Sequence, residues 1–252
     1  MSVPIHLAEG LESAGAWRSA VAGLPHSAVA GRTPAGAIVV EPGSPGWRDR
    51  ARAAAAAGAR ALVIADPVAP AGESGEIGVP ILLCRPGARV GLLPPLHTRP
   101  VAVQVEVSAP ADALGAVLAD ALAWVHALVP GPVQVAGSAG TAVSAVFHLD
   151  ADGVSVTGTA VTGPIRRLRV LTLGPERTEV EVARGTRIRV TNEHGVHELP
   201  PAWESAERAA LRRALDALET GAEASELARH HAEVRLAAEV LGGLVEKKHK
   251  IA

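Results

Sequence analysis

Apolar and polar positions along this chain follow two different rhythms. As far as Cys84 the apolar stretches are short and unbroken, as in Ala37 to Val40, Ala61 to Ile64 and the run that ends a strand spanning Val79 to Cys84. Runs of about four residues bounded by turn formers are too short for helices and read as strands buried on both faces. The stretch from Ala37 to Pro67 organises this half. It predicts a strand, a Pro/Gly turn at Glu41 to Gly46, a helix from Trp47 to Ala57 stopped by Gly58, and a second strand closing on Asp66-Pro67. Strand, helix and strand in about thirty residues make a right-handed crossover between parallel strands. Ligands of such sheets bind outside the carboxyl ends of the strands. Those ends are Glu41 to Gly46 and Ala65 to Pro67. A strand at Val3 to Leu7, a helix over Leu11 to Ala22 and a short strand at Ser27 to Ala30 precede them.

From Val101 the rhythm changes to alternation. Val101 to Val107 (VAVQVEV) reads as a half-exposed antiparallel strand. Ala111 to Leu128 predicts a helix with a wide apolar face, ended by Pro130-Gly131. Alternating strands follow at Val133 to Ala136, Thr141 to Leu149, Val154 to Val161, Ile165 to Leu173, Thr178 to Val182 and Thr186 to Thr191. They predict an antiparallel meander with one face on helices. Two helices close the chain, over Glu204 to Thr220 and Ser225 to Leu241, the second with His231 on its apolar face beside Leu227 and Val234. The fold class is thus α/β followed by α+β, with a parallel-sheet half in residues 1–98 and an antiparallel-sheet domain in residues 99–252.

Composition narrows the chemistry. A net charge of −2 over 252 residues gives no general pull toward nucleic acid or anionic membrane. The single cysteine, Cys84, excludes an internal disulfide and a cysteine-rich zinc site, and its apolar run makes it a small buried residue. There is no tyrosine, and all three lysines lie in the last six residues. A Tyr/Lys proton relay and a lysine acid/base in the body of the fold are both excluded. The tail Glu246 to Lys250 reads as a solvated, frayed end. Without a basic-then-apolar N-terminal segment or an apolar run of ~18 residues, the expected location is cytoplasmic. His194 and His197 form an H-x-x-H pair with flanking acids, but positions three apart on a strand face opposite sides, so a shared metal would require a turn at Gly195, and no metal site is predicted. Arg166, Arg167 and Arg169 are expected on a solvated sheet edge, with an acidic partner surface as the alternative.

Several short motifs carry a resemblance. Val39-Val40-Glu41-Pro42, Ala57-Gly58 and Ala65-Asp66-Pro67 occupy the frame of a strand end, helix end and strand end. Asp120 lies in the long helix, and Trp203 to Gly221 reads W-E-x-x-x-R-x-x-L-x-x-A-L-x-x-L-x-x-G. In these residues and in the order of its elements the chain resembles the Gfo/Idh/MocA oxidoreductases. The resemblance implies a Rossmann-like first half, shortened because only 36 residues precede Ala37. It implies NAD(P) as cofactor, with Gly10, Glu41, Pro42 and Pro67 at the matching cofactor positions. The family's catalytic lysine falls on Asp66, and its helix histidine on Trp124. Asp120 matches the first acid of the helix motif, and Ala127 stands at the second. His126, two residues past the histidine position, is turned roughly 200° round the helix and cannot replace it directly.

The cofactor devices are thin. A dinucleotide fold places G-x-G-x-x-G after the first strand, because only glycines let the backbone close on pyrophosphate at a helix N-terminus. This chain has Ala8-Glu9-Gly10-Leu11-Glu12-Ser13, one glycine with two carboxylates where phosphate charge would arrive. After Val29-Ala30, where a ribose-binding acid belongs, stand Gly31-Arg32. Asp66, Asp120 and His126 are the candidate catalytic groups. Their plainer readings are a turn former, a structural contact at the domain boundary and a helix-surface or edge residue. Three functions follow. The first is a degenerate homologue, non-catalytic alone, that acts as a structural or regulatory partner. It would form a homo-oligomer, or a hetero-oligomer with an intact oxidoreductase, through the C-terminal sheet. The second is an active NAD(P)-dependent oxidoreductase on a sugar, cyclitol or imine, with Asp66 or Asp120 as proton donor. The third is a small-molecule binding protein.

Overall fold

A computed structural model describes residues 2–25, 28–68, 77–201, 203–221 and 226–242. In chain order the elements are β1 (Val3–Leu7), α1 (Ala14–Ala22), β2 (Ala28–Ala30), β3 (Ile38–Pro42), α2 (Trp47–Ala56), β4 (Ala61–Ala65) and β5 (Ile81–Cys84). There follow β6 (Ala102–Ala109), α3 (Leu114–Leu128), β7 (Val133–Thr141), β8 (Ser144–Ala151), β9 (Val154–Thr162) and β10 (Arg167–Leu173). The chain closes with β11 (Arg177–Val182), β12 (Thr186–Asn192), β13 (Gly195–Glu198), α4 (Ala206–Thr220) and α5 (Glu226–Gly242). The expected tail, Glu246 to Lys250, and most of the loop after Pro67 lie outside the described residues.

Two compact units result, Met1–Pro86 with Trp203–Arg229, and Gly87–Ala202 with His230–Ala252. The sequence pattern predicts one cut at 98/99; the structure instead places 203–229 with the first unit. The reason is the apolar stripe of α4. Ala210, Leu211, Ala214 and Leu215 share a core with Ile5, Val40 and Val63 of the parallel strands.

The first unit holds a five-stranded sheet in the order β2-β1-β3-β4-β5, parallel throughout. Alternate residues of β3, β4 and β5 serve opposite cores. Ile38, Val40 and Val63 pack with α1 and α4, whereas Val39, Leu62 and Ile64 pack with Trp47, Ala51 and Ala54 of α2. Burial on both faces is what an unbroken apolar run encodes. Each fully buried Val, Leu or Ile contributes about 1.5–3 kcal/mol, so a strand charged on either face would not hold its place. After the three-residue β2 the chain crosses back over β1 to β3. The order therefore reverses between β1 and β3, the switch point at which open α/β sheets bind ligands.

The second unit holds an eight-stranded sheet in the order β13-β12-β11-β10-β6-β9-β8-β7. It is not a pure antiparallel meander, because β6 and β9 pair in parallel along eight residues. Helix α3 makes the crossover that this pairing needs. Its apolar face covers the strands, with Leu118, Leu122, Trp124, Val125 and Leu128 fully buried. Phe147, the one phenylalanine, lies over Gly158 on the neighbouring strand, where a Cβ would stand 2.3 Å from its ring. The other sheet face is polar. Arg167 and Arg169 lie on a central strand rather than an edge, and they pair with Glu181, Glu179 and Glu106. In α5 the inward residues are His230, Glu233, Leu236, Ala237 and Val240, so His230 takes the buried position predicted for His231.

Candidate functional site

At the carboxyl ends of the parallel strands the first unit is closed on itself. The Gly43 N–H donates to the Ala65 carbonyl at 2.7 Å, and the Val68 N–H to the Gly43 carbonyl at 2.8 Å. A Cβ on Gly43 would lie 2.4 Å from Pro67 Cα, so only glycine permits this approach. Trp47, fully buried at the start of α2, donates its indole N–H to the Val68 carbonyl at 3.2 Å. Arg50, one turn along, donates to the Pro42 carbonyl at 2.7 Å and to Ser44 Oγ at 3.0 Å. The turns after β3 and β4 are thus fastened to each other and to α2.

Glu41 is 6% exposed, and its carboxylate lies 3.4 Å from Arg50 Nε. Burial raises its pKa above the ordinary glutamate value; the Arg50 charge and hydrogen bond oppose the rise, with a smaller effect from His6. Asp66 has φ +47°, a left-handed conformation that Asp tolerates better than most side chains, and its N–H donates to the Cys84 carbonyl at 2.9 Å. Pro42 and Pro67 belong to the same fastened turns. Gly10, also left-handed at φ +82°, sits at the exposed β1–α1 turn between exposed Glu9 and Glu12. Ser13 precedes α1 without a side-chain cap. This turn lies at the switch-point end of β1, where its carboxylates oppose an arriving phosphate. Arg32 is exposed beyond β2.

The other candidates lie in the second unit. Asp120 holds its carboxylate against Gly87, where a Cβ would lie 2.2 Å from Oδ2. Trp124 is fully buried one turn later and donates its indole N–H to the Gly87 carbonyl at 2.7 Å. The position to which the resemblance gives a histidine is therefore a core residue that clasps backbone. His126 turns elsewhere, its Nδ1 3.7 Å from the buried Glu233 Oε1 of α5. It is not a helix-surface residue, and Asp120 and His126 face different neighbours. His194 occupies the β12–β13 turn, donating its N–H to Asn192 Oδ1 at 2.9 Å, while His197 sits on β13. No cluster of three metal-ligating side chains occurs among the described residues.

Sequence reasoning missed Gly43, Trp47 and Arg50, which build the strand ends, and Glu233, which meets His126. For Arg50 a signal existed, a buried-strand Glu followed by a Pro/Gly turn and an Arg in the first helical turn. Glu233 had none, because its burial depends on the rotation of α5.

A five-stranded parallel sheet with its switch point at β1/β3, followed by a mostly antiparallel eight-stranded sheet under a long helix, is the kind of fold that the resemblance to the Gfo/Idh/MocA oxidoreductases implies. Solved structures carry the same fold. A dehydrogenase (MviM) from Clostridium difficile aligns over 97% of this chain and 100% of its own, with a TM-score of 0.68 and 8% identity. KijD10, a 3-ketoreductase from Actinomadura kijaniata in complex with NADP, aligns over 97% of this chain and 98% of its own, with a TM-score of 0.64 and 12% identity. UDP-N-acetylglucosamine 3-dehydrogenase GnnA from Acidithiobacillus ferrooxidans aligns over 97% and 98%, with a TM-score of 0.60 and 12% identity. No family model and no curated protein sequence matches the chain. No helix among the described residues is long and apolar enough to cross a membrane.

Proposed function

We propose that this chain is a non-catalytic homologue of the oxidoreductases whose fold it has, and that it acts as a structural or regulatory partner subunit. The observation that carries this reading is Asp66. At the position where the resemblance calls for a catalytic lysine there is a left-handed turn residue, in a corner stitched by Gly43, Val68 and Trp47. Trp124 at the histidine position and the Glu9/Glu12 carboxylates beside Gly10 support it. Hydride transfer needs a bound nicotinamide and a proton-handling group on the substrate. The residues at the matching positions supply turn, core and repulsion instead, so they do not fit NAD(P).

One observation favours an active oxidoreductase as a second reading. Glu41 is a buried strand-end carboxyl whose raised pKa favours the protonated form, the state a general acid requires. A titration of the purified chain with NADH and NADPH, following energy transfer from its four tryptophans to the nicotinamide, separates the two. The first reading predicts no saturable signal up to millimolar cofactor. Saturable micromolar binding would overturn it and move the work to substrate screening.

A further inference from the structure

On the face of the parallel sheet that carries α2, three ionisable side chains converge. β1 and β3 pair with Leu7 opposite Val40, and Ile5, Leu7 and Val40 turn to the core under α1 and α4. His6 and Glu41 therefore share the other face, on which Val39 packs with Trp47 of α2. They are diagonal neighbours across the two strands, within reach of long side chains. Arg50 of α2 completes the group. Its Nε stands 3.4 Å from Glu41 Oε2, and both atoms are closed off from solvent. A charge-assisted hydrogen bond is shorter, about 2.7–2.9 Å, so the guanidinium is not drawn fully onto the carboxyl group. The turn after β3 holds it instead. Its terminal nitrogens donate to the carbonyls of Pro42 at 2.7 Å, Pro45 at 3.1 Å and Ser44 at 3.3 Å, and to Ser44 Oγ at 3.0 Å.

We propose that His6, Glu41 and Arg50 form a proton-controlled clasp, in which ionisation of Glu41 draws Arg50 off Ser44 and Pro45 and loosens the turn from Gly43 to Gly46. The cause is competition for one cation. A protonated Glu41 offers Nε a neutral oxygen, and the turn carbonyls hold the guanidinium. An ionised Glu41 offers a full charge where water screens little, and a hydrogen bond to a charged group outweighs one to a neutral carbonyl. The guanidinium is a rigid plane, so moving Nε toward Oε2 moves both terminal nitrogens as well. The bonds to Ser44 and Pro45 are exposed and longer, and they yield first; the half-buried bond to Pro42 stays. Burial keeps the proton on Glu41 to higher pH than is usual, while the charges of Arg50 and His6 act against it. Its other neighbours turn elsewhere. Ile64 stands opposite on β4, Asp49 and Arg52 of α2 pair with each other, and Arg48 lies over the Trp47 ring. The inference concerns the turn alone and is independent of whether the first unit binds a cofactor.

Heteronuclear NMR of the full chain from about pH 4 to about pH 8, a range that spans ordinary carboxyl and imidazole titration, tests it. The signals followed are the Glu41 carboxyl, the Arg50 Nε–H and the Gly43, Ser44 and Gly46 amides, in wild type, Glu41→Gln and His6→Asn. The expected result is one transition shared by all of them, centred above the ordinary glutamate value of 4.5. Glu41→Gln should abolish it and hold the Arg50 and turn signals at their low-pH positions. His6→Asn should keep the transition and move it to higher pH, because the charge that favours ionised Glu41 is gone. Ser44 and Gly46 amides that stay still while the Glu41 carboxyl titrates would overturn the proposal. So would a transition centred at 4.5 or below, or one that Glu41→Gln leaves in place, since the histidine alone would then drive it.

Discussion

The two sheets of this molecule were given opposite surroundings by their sequences. In the parallel sheet the central strands β3 and β4 are buried on both faces under helices, one sheet edge is short and the other is plugged by Arg213 and Glu226. In the larger sheet helices cover one face, the other is a ladder of Arg/Glu pairs, and one long edge is bare. The difference teaches where interaction is to be sought. The strand-end region that serves as a binding crevice in open α/β sheets is here spent on internal fastening, whereas the second unit leaves one sheet face polar.

The comparison can be broken most severely at Gly43. Gly43→Ala forces a Cβ into the backbone of Pro67, which has no flexible end to yield, and should cost about 3 kcal/mol in urea unfolding. A cost near zero would mean the strand ends are not locked. Gly87→Ala in the second unit meets the Asp120 carboxylate instead, a side chain that can move, and should cost about 2 kcal/mol. Because that clash is with the carboxylate itself, combining it with Asp120→Ala should recover most of the loss, and a double-mutant cycle reads the coupling. Arg213→Ala unplugs the β5 edge. With Arg213 and Glu226 both partly exposed, water takes over some of the hydrogen bonds, and the expected cost is about 1 kcal/mol in the same assay.

The smallest effect is a gain. Glu41 in the folded chain holds its proton more tightly than in the unfolded chain. Its contribution to stability is therefore full below the ordinary glutamate value of 4.5 and is lost as pH rises through the raised value. Glu41→Gln, which mimics the protonated form, should melt slightly higher than wild type at pH 7, with the gap closing toward pH 4.5. A melting temperature lowered at pH 7 would mean that the Arg50 ion pair outweighs burial.

The first unit was the more legible half because its strands carry their burial in their own composition. β3, α2 and β4 were predicted to within two residues at each end. The second unit gave up its strands but not their arrangement, since alternation looks the same whether a neighbour runs parallel, as β9 does beside β6, or antiparallel. β13 was missed because its four residues are all exposed and carry no alternation to read. α4 went to the first unit and α5 rotated by one residue toward His230 for a shared reason. A helix stripe says that something is buried, not what buries it. Of the candidate site, Asp66 as a turn former was readable from Asp-Pro at a strand end. The clasp between Trp124 and Gly87 was not, because it joins residues 37 apart through a backbone carbonyl.

Hydrogen–deuterium exchange on the whole chain, with and without millimolar NADPH, tests the central claim most directly. The account predicts that peptides covering Ala8 to Ser13, Glu41 to Gly46 and Ala65 to Pro67 exchange identically in both conditions. Protection of these strand-end peptides by NADPH would contradict it.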